Sequence, residues 1–326
     1  MDKINMRRRG LLAGTAAALS IPVFACAQGG KTVRMLVGFP PGQATDSVAR
    51  LLAEQLRART GGIHLVENRP GAGGSIALAQ LAASVADGSV MMLAHMSALA
   101  TAPFVYRNVR YDPLTDFEAV GLVGDLPFVL VCNPALPVRN VAQLVQYARA
   151  HPGVLTNASS GHGTVSHLAM EAFKRQAGVQ ILHVPYKGSA AGLSDVVAGN
   201  VSLALETASA VQPLVRDGRL RALACGTRER LGGALAVPTM AEQGYPDFNA
   251  ATWLMLLYPK GTPQAVVQVA FGQVRRIVQD SGVDRKLRAM GLVPRTSDSP
   301  KEAGDYLAAE YRRWGEIVRQ AAPATG

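Results

Sequence analysis

The chain has 326 residues, 48% hydrophobic and 17% charged, with a formal net charge of +10. That length and apolar share suffice for a large core divided into two domains, and they exclude a disordered or repetitive chain. Four positive residues (Lys3, Arg7, Arg8, Arg9) and one negative (Asp2) lie at the extreme N-terminus, which leaves +7 for the rest. Those charges are dispersed without a Lys/Arg block or an aromatic-interleaved basic stripe, so nucleic acid is excluded and a mild attraction for anions is left.

Residues 1–27 read as an export signal: a basic start, an apolar stretch and an Ala25-Cys26-Ala27 cleavage site. The arginine pair before Gly10-Leu11-Leu12 resembles a twin-arginine signal, with the Sec route as the other reading. Lipidation at Cys26 is less favoured, because Phe24 fits a lipobox poorly. A membrane anchor is disfavoured because the apolar stretch is short, and no later segment is long enough to span a bilayer. The mature chain then starts near Gln28 and keeps two cysteines, Cys132 and Cys225. Both sit in strand-like runs, which points to buried free thiols; a disulfide requires the two strands to be neighbours.

From Val33 to Phe39 an apolar run predicts a buried strand; after Pro40-Pro41-Gly42 the apolar positions Val48, Leu51, Leu52 and Leu56 change to helical spacing. The pattern then predicts a strand in GIHLVEN, a helix over 76–84 and a strand in VMMLAH. AVGLVG and FVLVCNP read as two strands, and NVAQLVQYARA as a helix closed by Pro152-Gly153. The helix VSHLAMEAFKRQA, the strand VQILHVPY, a helix over 189–198 and the strands VSLALET and LRALACGT follow. A long C-terminal helix carries Leu307, Tyr311, Trp314 and Val318 on one face. Alternating strands and helices predict parallel-rich sheets covered by helices, here as two α/β lobes with a cleft between them. Ligands in such folds sit beyond the carboxyl ends of strands, near helix N-termini.

Three loops share one design, a strand end, small residues and a helix start: 39–46 (FPPGQATD), 94–100 (AHMSALA) and 158–167 (ASSGHGTVSH). The first N–H groups of a helix lack intrahelical partners and carry partial positive charge, and small residues let an anion approach them. Singly, each loop is an ordinary turn; together they read as a carboxylate site made of backbone. Asp46 opposes this. Either it caps its helix and points away, or it holds water or a ligand's amine.

Enzyme signatures are missing: there is no GxSxG, HExxH, GxxxxGK[ST] or CxxC. Ser160, His162 and His167 lie close in sequence, yet spacing names no nucleophile, base and orienting acid, so a polar loop with a capping histidine is favoured. His64, His95, His151 and His183 are scattered without metal-ligand spacing. NRPGAGGS (68–75) lacks GxGxxG and a P-loop lysine. Lys187 reads as an exposed turn lysine in preference to a latch between lobes.

The ordered set VGFPPGQATDSVARLLAEQL, VENRPGAGGSIALAQLA, YDPLTDFEAVGLV, ASSGHGTVSHLAMEAFK, VPYKGSAAGLSDVVAGNVSLALE and GRLRALACGTRERL carries a resemblance. VPTMAEQGYPDF and GTPQAVVQ extend it. On these motifs the chain resembles the Bug/TctC family, the extracytoplasmic solute receptors of tripartite tricarboxylate transporters, over essentially its mature length. The resemblance implies a two-lobed periplasmic binding protein of type II, with mixed sheets covered by helices and a ligand cleft between lobes. It also implies a periplasmic monomer that meets its ligand's acid group with loop amides and bridging waters. No metal or cofactor is implied, and the partners are a small organic acid and the transporter's membrane subunits.

The positions carried over are Phe39, Pro40, Gly42 and Asp46 in the first loop, and Ser159, Gly161, Gly163, Thr164 and His167 in the second lobe's loop. Ser160 stands among the latter. His95, Met96, Ser97 and Ala98 occupy the place of a small polar family loop, and Glu206-Thr207 that of a common Asp-Asn pair. The departures are Gln43 for the usual glycine, His95-Met96 for Thr-Ser, His162 for a frequent Asn, and the longer Glu206. They imply a bulkier pocket with acceptors and possible cations of its own. The expected ligand is a monocarboxylate, amino-acid-like or heteroaromatic acid, its amine or ring nitrogen on Glu206 or Asp46, in preference to a compact tricarboxylate. Lobe I is expected at 28–127 with 227–326 and lobe II at 128–226. A transport receptor is the favoured function, ahead of a ligand-sensing module for a membrane signalling partner and a periplasmic hydrolase.

Overall fold

The structure is a computed structural model that describes residues 32–232 and 235–321; the export signal expected at 1–27, with Cys26, lies outside them. The chain alternates as expected through β1 (Thr32–Val37), α1 (Ala44–Thr60), β2 (Ile63–Asn68), α2 (Ser75–Ala82) and β3 (Val90–His95). A π turn at Ser97–Thr101 leads into the short α3 (Ala102–Val105) and then β4 (Phe117–Cys132). Next come α4 (Val141–Ala150), β5 (Thr156–Ser159), α5 (Val165–Ala177), β6 (Leu182–Pro185), α6 (Ser189–Ala198), β7 (Leu203–Thr207), α7 (Ala208–Arg216) and β8 (Arg221–Cys225). The chain returns through β9 (Ala251–Pro259), α8 (Gln264–Val278), α9 (Ser281–Ala289) and β10 (Val293–Pro294) to α10 (Pro300–Ala321).

One sheet runs β2-β1-β3-β9-β4 and the other β4-β7-β5-β6, with β8 and β10 also paired to β4. The two strands expected at AVGLVG and FVLVCNP are therefore one, which belongs to both sheets. Asp125-Leu126-Pro127 lies inside the strand. Pro127 is the last residue in register with β9, opposite Ala251, and the next donor, Phe128 N–H, bonds to Ala250 (3.1 Å). A proline is tolerated there because the strand is changing partners. Both faces of β4 are buried, which explains its near-continuous apolar sequence: Phe128, Leu130 and Cys132 enter one core cluster, Val129 and Val131 another. The first cluster is continuous between the sheets, joining Leu36 and Met92 to Phe173 of α5 and Trp314 of α10. Each such side chain contributes roughly 1.5–3 kcal/mol on burial.

Strand directions place the site. β1 and β3 are parallel, β3 is antiparallel to β9, and β9 is antiparallel to β4, so β1, β3 and β4 all point from the first sheet towards the second. β7 is antiparallel to β4 and parallel to β5, which is parallel to β6. The carboxyl ends of β5, β6 and β7 thus face those of β1 and β3.

β4 and β8 are neighbours, the condition set for a disulfide, yet the two thiols are free and buried. Cys132 is in register with Arg221 and Cys225 with Val129, at opposite ends of the pairing, and they enter clusters on opposite faces. Burial pushes the Cys132 thiol up to about 11. Alkylation in denaturant without reductant is therefore expected to label both Cys132 and Cys225; a mass two daltons low and no labelling would refute the arrangement.

Candidate functional site

Four helices that follow these facing strand ends begin around one cavity of about 30 Å³. Its walls include Ala44 and Thr45 of α1, Val165 and Ser166 of α5, Ser189 of α6, and Thr207 just before α7. The α1 ladder starts with Ser47 N–H bonding to Gln43 and the α5 ladder with Leu168 N–H bonding to Thr164. The N–H groups before those have no intrahelical acceptor. None of the four capping positions, Gln43, Thr164, Gly188 and Thr207, supplies a side-chain cap. α4 and α9 begin elsewhere and are capped, by Asn140 and Asp280. α8 lacks a cap as well, so it is the convergence that matters. Uncapped helix starts aimed at one point make a ready anion site.

The remaining walls are apolar at Phe39, Leu126 and Phe128 and polar at Gln43, His95, Ser97, Ser160, Thr164 and Glu206. The Ser97 hydroxyl is buried with no hydrogen-bond partner among the described residues. His95 is not the cation expected of it. Burial holds its pKa down at about 3, and its Nδ1 accepts from Ser97 N–H (3.1 Å). Glu206 is buried too; burial raises its pKa to about 7 against the hydrogen bonds of Ser160, Thr207 and Ser166. A space of this volume holds two or three waters, at about 10–15 Å³ each. The cleft is closed.

Asp46 points away from the cavity, as the first of its two expected roles had it, but it does not cap its helix. Its carboxylate accepts from Gly42 N–H (2.9 Å), Asn68 Nδ2 (2.9 Å) and Arg50 Nε (3.0 Å). Burial pushes its pKa up, but these bonds outweigh burial and hold it below the usual range. It is fully engaged and does not line the cavity. Pro40 and Gly42 do not line it. Met96 and Ala98 do not line it either; both are fully buried in the core, because the π turn after β3 directs them inward.

The 159–167 loop divides. Ser160 and Thr164 face the cavity, whereas Gly161, His162, Gly163 and His167 lie outside its lining. Ser160 Oγ donates to Glu206, so it has no histidine base; Ser159 Oγ is the hydroxyl beside an imidazole, His183 Nε2 (2.6 Å). His183, scattered in sequence, stacks on His167 (3.9 Å between centroids), and His162 lies 4.8 Å from His167. Burial, then neighbouring positive charge, lowers His167 to about 3.

Sequence reasoning missed the groups that tie the sides together. Thr101 Oγ1 donates to Gly163 O (2.8 Å) and Tyr106 OH to His162 O (2.9 Å). Gln43 Nε2 lies 2.2 Å from where a Cβ on Gly188 would sit. Lys187 is exposed in a turn. Val165 and Ser166 were within a quoted loop and Ser189 at the start of an expected helix, but they carry no individual chemical signal.

Residues 48–322 match the family described as the tripartite tricarboxylate transporter family receptor. The chain is 36% identical over 321 residues to Protein BugT of Bordetella pertussis, covering 97% of this chain and 98% of that one. Among solved structures it is similar to R. palustris Rpa4515 with adipate, at 36% identity and a TM-score of 0.85 over 89% of this chain and 97% of that one. It is also similar to MatC (Rpa3494) from Rhodopseudomonas palustris with bound malate, at 29% identity and 0.81 over 88% and 98%. The fold is the two-lobed, type II-like periplasmic-binding architecture.

Two outcomes follow from the polar walls. Ser97→Ala is expected to leave the thermal midpoint unchanged or raised while weakening anion binding about two- to tenfold, the worth of one hydrogen bond. Glu206 has a folded pKa near 7 against an ordinary value of 4.5. The folded chain therefore holds its proton more tightly, and this contribution to stability falls as pH rises from about 4.5 through about 7. Glu206→Gln is expected to abolish that part of the slope in denaturation measured across the window.

Proposed function

Because the chain belongs to the tripartite tricarboxylate transporter receptor family, we propose that it captures a small organic acid in the periplasm and delivers it unaltered to the transporter's membrane subunits. The observation that carries this reading is the set of four uncapped helix starts, drawn from both sheets, around one cavity. The acid group sits on those amides, with Ser97 as a further donor. The first division between lobes falls at Pro127–Phe128, where β4 changes sheets. The second falls near Ala250 and not at 226 as expected, because Thr239 is bridged to Cys225, Leu235 packs with Val129 and Val131, and Gln243 bonds to Val141 N–H and Leu223 O, which keeps residues 227–249 with the second lobe. Closure is a hinge motion about those two connections. Among the described residues no helix is long and apolar enough to cross a membrane, which suits a receptor released by cleavage after residue 27.

The protein is a receptor without catalysis in this reading, since Ser160 is bonded to Glu206 and has no histidine partner. Transport is preferred to sensing, and genes for two membrane subunits beside its own would support that choice.

Glu206 sets the ligand class. As a carboxylate it repels a second acid group and attracts an amine or a ring N–H, so an amino-acid-like or heteroaromatic monocarboxylate is the first choice. Asp46, consumed by Gly42, Asn68 and Arg50, takes no part. Adipate and malate, named with two similar proteins, are dicarboxylates, which favours a second reading. Protonated Glu206 would then donate to the ligand's far carboxylate.

Isothermal titration of the mature protein over a panel of acids separates the two. From about pH 6 to about pH 8 the ionised fraction of a group titrating near 7 rises from roughly a tenth to nine-tenths. Affinity for an amine-bearing acid is therefore expected to rise about tenfold over that range, and affinity for a dicarboxylate to fall by a similar factor. Glu206→Gln flattens either slope. Tight citrate binding without any amine-bearing, aromatic or dicarboxylic hit would overturn the ligand class.

A further inference from the structure

Three histidines from three successive elements meet on the side of the 159–164 loop away from the cavity. His162 is on the loop, His167 in the first turn of α5 and His183 on β6. Their ring centroids are 3.9 Å (His167–His183), 4.8 Å (His162–His167) and 6.4 Å (His162–His183) apart. One ring nitrogen from each lies within 4.8 Å of the other two. We propose that His162, His167 and His183 form a binding site for a transition-metal dication of the Zn²⁺ or Ni²⁺ kind.

The donor set chooses the metal. Imidazole nitrogen suits zinc, nickel and copper, whereas magnesium and calcium prefer oxygen. Stacking alone accounts for the nearly parallel His167 and His183 rings (20° between planes), but not for the third. His162 is exposed, and among the described residues its ring contacts the other two and makes no hydrogen bond. In a tetrahedral site with metal–nitrogen bonds of about 2.0–2.1 Å, the nitrogens stand roughly 3.4 Å apart. The three must therefore draw together by about an ångström, and the exposed His162 side chain has the freedom to do most of that. Burial keeps His167 and His183 neutral near pH 7, with lone pairs available.

Lys174 lies close enough to disfavour a cation, but its ammonium is held by Glu171 (2.5 Å). The Glu171 carboxylate also lies 3.9 Å from His167 Nε2, beyond hydrogen-bond reach but near enough to favour a cation there. His183 Nε2 is bonded to Ser159 Oγ, which either orients that ring or is displaced. His167 Nδ1 accepts from Gly163 N–H (3.1 Å). Metal on either nitrogen of His167 ends that bond, since one use takes the Nδ1 lone pair and the other needs a proton there. Loading thus reaches the loop that carries Ser160 and Thr164 into the cleft.

The test is isothermal titration of the full mature protein, free of any affinity tag, with zinc chloride and nickel chloride near neutral pH. Magnesium chloride serves as the control. One zinc per chain is expected, with no magnesium signal. His162→Ala, at an exposed position, is expected to weaken zinc binding at least about tenfold without moving the metal-free thermal midpoint. His64→Ala is expected to bind as the parent does. Absence of saturable zinc binding, equal binding of magnesium, or zinc binding unchanged in His162→Ala would each overturn the proposal.

Discussion

The site depends on one strand being hydrogen-bonded in two sheets. β4 lies antiparallel to β9 over its first part and to β7 and β8 over its last. Because it does not turn between them, the directions of all the other strands are set, and β1 and β3 end opposite β5, β6 and β7. Helices that follow a parallel strand begin at its carboxyl end, so their positive ends converge as a consequence of topology. Leu126 and Phe128, on either side of the changeover, floor the cavity between them. The same residues that specify the fold therefore specify where an anion is held.

The electrostatics of that gap differ from those of an ion-paired site. Among the described residues no arginine or lysine lines the cavity. A buried guanidinium would need a permanent partner or a heavy desolvation cost whenever the cleft was empty. Helix N–H groups carry fractional charge and are readily hydrated by water when the lobes part, so the site is tolerable open and attractive closed. Asp46 fits the same logic: in the first turn of α1 it would spoil the field, and Arg50, Asn68 and Gly42 neutralise it and turn it aside. Among the described residues Glu206 has no cationic partner and is left with a pKa near neutrality. It is also the one carboxyl among them that lines the cavity, and its charge is negotiable.

The secondary structure was legible wherever apolar period and turn chemistry agreed, as in α1, α5, β3 and the C-terminal helix. The continuity of β4 was not, since Pro127 carries a local signal for a break and only the exchange of partners between β9 and β7 removes it. In the site, the loops were readable from small residues before amphipathic helices. What each side chain faces was not readable, because that depends on the other lobe. Met96 and Ala98 turn inward through a π turn that no period predicts. His183 joins His162 and His167 only because β6 pairs with β5, setting Pro185 beside Ser159. Thr101 and Tyr106 carry no motif, and their role exists only across the gap.

Among the described residues the hydrogen bonds that join the loops across the cleft are few: Thr101 to Gly163 and Tyr106 to His162. A typical hydrogen bond contributes only about 0.5–1.5 kcal/mol net. Contacts of that number and size cannot lock two lobes together, yet they suffice to define one closed geometry among many. A ligand that binds amides from both sides adds differential affinity for that geometry, and only such affinity can shift the balance. Both hydrogen bonds end on the backbone of the 159–164 loop. The segment that turns Ser160 and Thr164 towards the cavity is therefore also the segment bonded across the cleft, so in the proposed receptor binding and closing would be one event.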